Sequence, residues 1–300
     1  MTEEPTTRVR LDLAYDGTDF NGWARQPGQR TVQGELEAAL ATVLGRYGPV
    51  PRLVVAGRTD AGVHATGQVA HLDLLEAQIA ALMRQRPPRS PELAPGALRA
   101  RLNGIAGLRT DVVVGAATFA PADFDARFSA LWRRYEYRIA DAAATRNPLL
   151  RRHTVWYPAE LDHAAMDAAA RELAGLHDWA AYCRPREGAT TIRELQHFSW
   201  TREADGVLVA RLQADAFCHS MVRALVGATV AVGEGKLEAD RAVSVRDEAV
   251  RTNEFKVMPA AGLTLLEVGY PPDHDLAARA EQTRARRDAE VGLSARLKLS

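Results

Sequence analysis

The sequence predicts an α+β protein built from two successive halves. Short segments in which apolar and polar residues alternate are typical of half-buried strands, and they are interleaved with apolar stripes of helical period. The order of strands and helices repeats loosely along the chain, and some strands follow each other as hairpins instead of alternating strictly with helices. A length of 300 residues accommodates two domains of ordinary size.

The first half opens on a strand in which Val9, Leu11 and Leu13 alternate with polar residues. Thr31 then caps a helix with an apolar stripe of helical period. That stripe consists of Val32, Leu36, Ala39, Leu40, Val43 and Leu44. The segments RLVVAG and GQVAHLDL are predicted as strands on either side of the turn GRTDAG. The remaining predicted elements are a helix over about 76–84, a short helix over 98–105 and a strand over 111–121.

The second half follows a similar plan, with a strand in RRYEYRIAD and a helix in AAMDAAARELAGL. Two further strands meet at Asp205–Gly206, a dipeptide typical of hairpin turns. An apolar helix in MVRALVGATVAVG and a strand in AGLTLLEVGY close this half. We therefore expect an N-terminal α+β half over residues 1–115, a C-terminal α+β half over 116–272 and a polar tail over 273–300.

Bulk properties exclude several classes of protein. Lysine plus arginine equals aspartate plus glutamate at 38 each, so the net charge identifies no partner. Cys183 and Cys218 are far apart in sequence and form no metal-type pair, which favours a reducing compartment over a disulfide scaffold or a zinc site. The N-terminus lacks the pattern of a secretory signal, and no apolar stretch approaches ~18 residues. We expect a cytoplasmic protein with no membrane segment.

Arginine is concentrated in two stretches of the chain. Residues 127–152 contain seven arginines against two acidic residues, and residues 84–109 contain six against Glu92 alone. Patches of this kind are able to bind polyanions. The alternative is that arginine is a generic surface cation in an Ala- and Arg-rich sequence, and composition by itself favours that interpretation.

Asp60 is the first candidate for chemistry because it lies in a Gly-flanked turn directly after a predicted strand. Gly57 and Gly62 permit backbone angles that other residues resist, so the turn is able to project the carboxylate into a cleft. Arg58 lies on the same side if the segment is extended. The alternative is an Asx-type turn in which the carboxylate bonds its own backbone, and local sequence alone favours it.

His64 and His71 raise the possibility of a metal site together with Asp60. Their spacing fits no zinc motif, and no partner that would orient either ring is evident. A hydrogen-bonding role is the favoured interpretation for each histidine.

Two further candidates lie in the second half. Tyr135 and Tyr137 share one face of the RRYEYRIAD strand, where a tyrosine either packs in the core or, if it lines a cleft, stacks on a base. His219 and Arg223 are four residues apart in a segment predicted as an apolar helix. An arginine in that position requires a partner such as Asp60, or else it extends to solvent.

Taken together, these motifs resemble the bacterial tRNA pseudouridine synthase A family. The matching segments are YDGTDFNGWARQ, TVQGELEAAL, AGRTDAGVHATGQVAH, FDARFSALWRRYEYRI, AFCHSMVRALVG and AGLTLLEVGYP. They occur in the order found in the family and span most of residues 8–272. The segment GRTDAGVHA is highly specific.

The resemblance implies two ferredoxin-like or RRM-like halves with largely antiparallel sheets flanking a basic catalytic cleft. It implies a homodimer that uses no cofactor and no metal, and that converts uridine to pseudouridine at positions 38, 39 and 40 of the tRNA anticodon stem-loop. Asp60 takes the place of the family's catalytic aspartate and Tyr135 that of its active-site tyrosine. Arg223 is then the arginine that pairs with the aspartate, and Arg58 helps to displace the base.

The same resemblance suggests which residues contact the RNA. Tyr135, Arg58, His64, Arg133 and Arg134 are the predicted substrate contacts, and the two arginine-rich stretches become phosphate contacts. The segment RLNGIAGLRTDVVV and the long loop RQRPPRSPELAPG depart from the family pattern, which affects loop contacts and not the chemistry. Two alternatives stay open, a non-catalytic RNA-binding module and a metal-dependent phosphoesterase that uses Asp60, His64 and His71.

Overall fold

The computed structural model describes residues 4–84, 90–106, 111–184 and 190–285. Two compact units are present, and each contains both strands and helices. The first unit consists of Met1–Ala130 together with Tyr270–Thr283, and the second contains Leu131–Gly269. Within the described ranges, no helix has the length and apolarity that a membrane crossing requires.

The first unit has the β-α-β-β-α-β order of a ferredoxin-like domain. Its strands are β1 (Thr6–Tyr15), β2 (Val54–Val55), β3 (His64–Leu75) and β4 (Val112–Phe119). Its helices are α1 (Val32–Leu44), α2 (Glu76–Leu82) and α3 (Ala94–Ala106). The sheet order is β4-β1-β3-β2, and all three pairings are antiparallel.

The second unit repeats this plan with additional edge strands. Its strands are β5 (Trp132–Ala140), β6 (Val155–Trp156), β7 (Gly175–Asp178), β8 (Ile192–Arg202), β9 (Leu208–Ala214) and β10 (Leu263–Gly269). Its helices are α4 (His163–Glu172), α5 (Met221–Gly233) and α6 (Ala239–Glu248). The order β10-β5-β9-β8-β7 is antiparallel, and only the short β6 pairs in parallel, with β5.

The core of each unit follows the periodicity of its sequence. In β1 the side chains of Val9, Leu11 and Leu13 are buried while their neighbours are partly exposed, as the alternation predicts. The Thr31 hydroxyl accepts a hydrogen bond from the Gly34 N–H and caps α1, as predicted. In the second unit, α5 is buried at every position except Arg223. The predicted α+β class with two ferredoxin-like, largely antiparallel halves is therefore confirmed.

The expected division of the chain differs from the observed one. The predicted boundary after residue 115 falls inside β4, and the compact units divide between Ala130 and Leu131. The reason is that β4 pairs with β1 and so belongs to the first unit. The segment predicted as a polar tail from residue 273 also differs at its start, because Leu276 and Ala280 are buried and residues 270–283 belong to the first unit.

The expectation of unpaired cysteines is wrong. Cys183 and Cys218 form a disulfide, and their Cα atoms are 5.8 Å apart, within the usual range for a disulfide. Their loops are neighbours, because the Arg184 N–H donates a hydrogen bond of 3.0 Å to the His219 carbonyl. A separation of 35 residues in the sequence gave no indication of this proximity.

Candidate active site

The GRTDAG segment forms the tight turn that the sequence predicts. The Asp60 carbonyl accepts a hydrogen bond of 3.2 Å from the Val63 N–H, and Gly62 lies between them with φ +78°. A left-handed residue at the third position of such a turn is typical of type II and favours glycine. Asp60 is half-buried in this turn and Arg58 is exposed. The turn therefore presents one carboxylate at its beginning.

A second loop, residues 15–23, packs against this turn through two glycines. A Cβ atom on Gly17 would lie 2.0 Å from the Val63 carbonyl oxygen, and one on Gly22 would lie 2.9 Å from the Thr59 carbonyl oxygen. Gly22 also has φ +83°. The two backbones therefore approach each other more closely than any side chain would permit. The pattern of YDGTDFNGW predicts a loop, but nothing in it indicates that this loop supports the Asp60 turn.

Backbone hydrogen bonds join the same two loops. The Trp23 N–H donates to the Thr59 carbonyl at 3.0 Å, and the Gly62 N–H donates to the Phe20 carbonyl at 3.2 Å. The Val32 N–H, at the start of α1, donates to the Gly22 carbonyl at 3.2 Å. The Asp60 turn is thus tied through the second loop to the first turn of a helix.

Buried polar side chains complete this support. The Tyr15 hydroxyl lies 2.8 Å from the Thr59 hydroxyl, and the Gln68 amide nitrogen donates to the Tyr15 hydroxyl at 3.1 Å and to the Gly57 carbonyl at 2.9 Å. Burial raises the pKa of Tyr15 to about 12, although its hydrogen bonds with Thr59 and Gln68 oppose the rise. The phenol therefore stays protonated at neutral pH and keeps its hydrogen-bonding proton.

His64 and His71 are both buried, and each ring accepts a hydrogen bond from a backbone N–H. The Nδ1 atom of His64 accepts a hydrogen bond of 3.0 Å from the Gly17 N–H and lies 3.2 Å from the Asp16 carboxylate. The Nδ1 atom of His71 accepts one of 3.0 Å from the Ala126 N–H. The favoured hydrogen-bonding role is therefore confirmed for both rings. Within the described residues, no group of three or more His, Cys, Asp or Glu is placed to hold a metal ion.

In the second unit, Tyr135 lies on the buried face of β5. Its ring meets the ring of Phe217 edge to face, with centroids 5.2 Å apart and an interplanar angle of 87°. The next inward residue, Tyr137, donates from its hydroxyl to the Pro259 carbonyl at 2.7 Å. Burial raises the pKa of Tyr137, and the positive charge of Arg223 opposes that rise.

Arg223 is the half-buried exception on α5. Its Nε atom donates to the Met258 carbonyl at 2.6 Å, and its own carbonyl accepts the Met258 N–H at 3.1 Å. The helix approaches this segment closely, because a Cβ atom on Gly227 would lie 1.9 Å from the Lys256 carbonyl oxygen. His219 is exposed in the loop before α5, so the prediction that His219 and Arg223 lie on the same helix is wrong.

The predicted substrate contacts Arg133 and Arg134 occupy opposite faces of β5. Arg133 is only 6% exposed and donates to the Asp215 carbonyl at 2.7 Å. Arg134 binds the Glu267 carboxylate at 2.8 Å and the Gln213 amide oxygen. Both guanidinium groups therefore have protein partners, and their contact with RNA stays a prediction.

The arginines of the two arginine-rich stretches lie in different environments. Arg99 and Arg101 donate to backbone carbonyls of β4 and α2, so these two arginines contribute hydrogen bonds to the fold. Arg146 and Arg151 are exposed in the segment 142–159, which contains no acidic residue. Arg86, Arg89 and Arg109 lie outside the described residues.

The predicted site residues are distributed over the two units. Arg58 and Asp60 lie in one turn of the first unit and His64 begins the strand that follows it, whereas Tyr135 and Arg223 belong to the second unit. Tyr15, Thr59 and Gln68, which support the Asp60 turn, were not among the predicted site residues. The only signal that the sequence offered for them was the tyrosine that begins YDGTDFNGW and the threonine beside Asp60.

Comparisons with known proteins bear on the class of this fold and site. A family model described as a tRNA pseudouridine synthase matches residues 169–271. The tRNA pseudouridine synthase A of Leifsonia xyli is 63% identical over 287 residues, which cover 96% of this chain and 99% of that relative. The enzyme of the same name from Frankia casuarinae is 55% identical, over 93% of this chain and 94% of the relative. That from Mycobacterium leprae is 48% identical, over 95% and 98%.

The fold and these similarities define a pseudouridine synthase, an isomerase that modifies RNA. More particularly, the chain belongs to the tRNA pseudouridine synthase A family. The resemblance drawn from the motifs is therefore confirmed.

Proposed function

We propose that this protein isomerises uridine to pseudouridine at positions 38, 39 and 40 of the tRNA anticodon stem-loop, with Asp60 as the nucleophile on a flipped-out uridine. The observation that carries the proposal is the GRTDAG turn, which presents a half-buried carboxylate and is held by a second loop, in a chain that matches the family over nearly its full length. A turn held from several sides is able to keep a reactive group in a productive geometry.

The reaction breaks the bond between N1 of uracil and C1′ of ribose, turns the base, and joins C5 to C1′. It involves no net oxidation and no hydrolysis, so a carboxylate that is ionised at neutral pH meets its main requirement. Asp60 acts either by addition to C6 of uracil or at the ribose, and both routes stay open. In either route C5 loses a proton before pseudouridine is complete.

The other predicted residues have complementary roles in this proposal. Tyr135 stacks on the uracil, and its position against Phe217 holds the ring in one orientation. Arg223 supplies the positive charge that pairs with the Asp60 carboxylate, and Arg58 fills the space that the extruded base leaves. The predicted Asp60–Arg223 pair joins one residue from each unit and stays a prediction.

In this proposal the protein recognises tRNA through the charge of the RNA phosphate backbone and through the shape of the RNA. Arg146 and Arg151 are suitable phosphate contacts because they are exposed in a segment without acidic residues. Each phosphate contact that is removed should reduce the salt dependence of binding. The proposal also includes a cytoplasmic homodimer with a basic cleft, and sedimentation equilibrium of the purified protein tests the dimer.

A direct test incubates the purified protein with unmodified tRNA, without added metal, and maps pseudouridine by chemical labelling. The wild type should modify positions 38–40, and Asp60→Asn should bind tRNA but form no product. Asp12→Asn is the matched control, because this carboxylate lies on β1 and pairs with Arg10; it should retain activity. Substantial activity in Asp60→Asn would contradict the role of Asp60.

The same assay separates the two alternative functions. A non-catalytic RNA-binding module would bind tRNA in the wild type without forming pseudouridine. A phosphoesterase would cleave its substrate and lose activity with a chelator. The Nδ1 atoms of His64 and His71 already accept backbone hydrogen bonds, which disfavours the metal-dependent alternative.

A further inference from the structure

A cluster of three buried polar side chains lies beside the Asp60 turn. Tyr15 is 5% exposed, Thr59 is 6% exposed and Gln68 is 0% exposed. Polar groups in such positions are costly unless they bind one another, and here the Tyr15 hydroxyl is hydrogen-bonded to both Thr59 and Gln68. Packing alone would be satisfied by apolar residues of the same shape.

The cluster contacts the segment that leads to Asp60 at two points. Thr59, the residue directly before Asp60, is bound through its hydroxyl to Tyr15 at 2.8 Å. Gly57 is bound through its carbonyl to the Gln68 amide nitrogen at 2.9 Å. Two points of attachment two residues apart, at Gly57 and Thr59, fix both the position and the direction of the backbone between them.

The other side of the cluster belongs to paired strands. Tyr15 is the last residue of β1, and Gln68 lies in β3, opposite Leu13. The register shifts next to this point, since Tyr15 lies opposite Ala65, so β3 has one residue more than β1 between the two pairs. Such an irregularity changes the direction of nearby side chains. Here it lies between Tyr15 and Gln68, whose side chains both contact the segment that leads to Asp60.

We propose that Tyr15, Thr59 and Gln68 are positioning residues that hold the backbone of residues 57–60 and thereby set the location of the Asp60 carboxylate. The inference rests on the proposed role of Asp60 and adds to it the means by which the fold orients that group. A displacement of about 1 Å at a reacting group is able to reduce the rate by roughly 100-fold. Loss of a single hydroxyl in the cluster should therefore reduce kcat by about 10- to 100-fold and leave KM for tRNA nearly unchanged.

The main test compares Tyr15→Phe with Tyr182→Phe. Each variant removes one buried phenol hydroxyl, because the Tyr182 hydroxyl donates to the Ala242 carbonyl at 2.7 Å in the second unit. Both variants should lower the melting temperature by a similar amount. Only Tyr15→Phe should lower kcat, measured as pseudouridine formed per enzyme at saturating tRNA.

A second pair of variants keeps the proposal testable if Tyr15→Phe fails to fold. Thr59→Ser retains the hydroxyl and should keep kcat within about twofold of the wild type, whereas Thr59→Val removes it and should show the 10- to 100-fold loss. Full kcat in Thr59→Val, or an equal loss of kcat in Tyr182→Phe and Tyr15→Phe, would overturn the positioning role. If instead the proposed role of Asp60 were wrong, Asp60→Asn would itself be active. The two failures are therefore distinguishable.

Discussion

The two segments that present the predicted catalytic groups are held by different means. Residues 57–64 of the first unit are fixed by hydrogen bonds and by backbone contacts at Gly17 and Gly22. Residues 215–223 of the second unit are fixed by the apolar helix α5, the Tyr135–Phe217 contact and a disulfide. The first segment is held by hydrogen bonds, which require a particular alignment of donor and acceptor. The second is held by buried apolar area and a covalent bond.

The difference follows from the composition of the two segments. A turn made largely of glycine, alanine, threonine and aspartate has little apolar surface to bury, so directional bonds must hold it. A helix that buries nearly every residue is stabilised by many small contacts, none of which is decisive. Loss of a single hydrogen-bonding group should therefore affect the first segment more sharply than the second.

The largest effect is expected from Gly17→Ala. The new Cβ atom would lie 2.0 Å from the Val63 carbonyl oxygen, and a backbone atom is unable to move aside by a change of rotamer. We expect a loss of at least about 4 kcal/mol in the free energy of unfolding. Urea unfolding at neutral pH measures this loss, and activity on tRNA should fall with it.

Gly96→Ala is the matched control for that substitution. Gly96 lies within α3, and a Cβ atom there meets nothing within 4 Å. Alanine is the better helix former, so the variant should gain about 0.5–1 kcal/mol. Similar stability for the two variants would show that loops 15–23 and 57–64 do not approach each other as closely as described.

The next largest effect concerns the disulfide of the second unit. Its two cysteines are separated by 35 residues, so closing this loop in the unfolded chain should contribute about 3–4 kcal/mol. Cys183→Ser should lower the unfolding free energy by that amount. Reduction of the wild type should have the same effect, and reductant should leave the already substituted protein unchanged. Titration of two free thiols in the native, unreduced protein would contradict the pairing.

Much of the fold was predictable because local pattern and tertiary contact agree. The helix in MVRALVGATVAVG and the hairpin at Asp205–Gly206 both occur as expected, and Gly206 has φ +84°. Helix α6 was missed because ADRAVSVRDE is mostly polar and buries only Ala242, Val245 and Arg246. The strand predicted in RLVVAG is limited to Val54–Val55.

The candidate site was predictable only in part. Asp60 was conspicuous because a carboxylate between glycines is unusual, and its motif is specific. Tyr15 and Thr59 are 44 residues apart, and nothing in either local sequence indicates that their hydroxyls meet. The same holds for the two cysteines. The contact of Tyr15 with Thr59 is decided by the register of β1 on β3 and by the loops that follow from it.

A smaller loss of unfolding free energy is expected when an ion pair is broken, and one ion pair from each unit is compared. Asp141 in the second unit is 0% exposed and binds Arg202 through two bonds of 2.9 Å, whereas Asp73 in the first is 36% exposed and binds Arg8. Burial favours the neutral form of Asp141, but Arg202 and backbone donors outweigh it and hold the pKa of this carboxyl below its usual value. Asp141→Asn should cost about 3 kcal/mol and Asp73→Asn about 1 kcal/mol, measured by urea unfolding at pH 7.

The pH dependence of that comparison has a defined sign. Because the folded-state pKa of Asp141 is below the ordinary value of 3.8, its stabilisation is fully present above that value and is lost as the pH falls through the folded pKa. The difference between wild type and Asp141→Asn should therefore shrink in acid. A difference that stays constant from pH 7 to pH 2 would contradict the ion pair.

The smallest effect is expected from His71, which binds the Ala126 N–H in the first unit. Burial, and to a lesser extent the charge of Arg8, lower the pKa of His71 below 6.5, although Asp125 and Asp73 oppose the shift. The unfolded chain therefore binds the proton first as the pH falls below about 6.5, and stability declines from there down to the folded pKa. His71→Gln keeps an acceptor for Ala126 but does not titrate. The midpoint of urea unfolding should fall less steeply between pH 6.5 and 5 in this variant than in the wild type, and equal slopes would remove His71 as the cause.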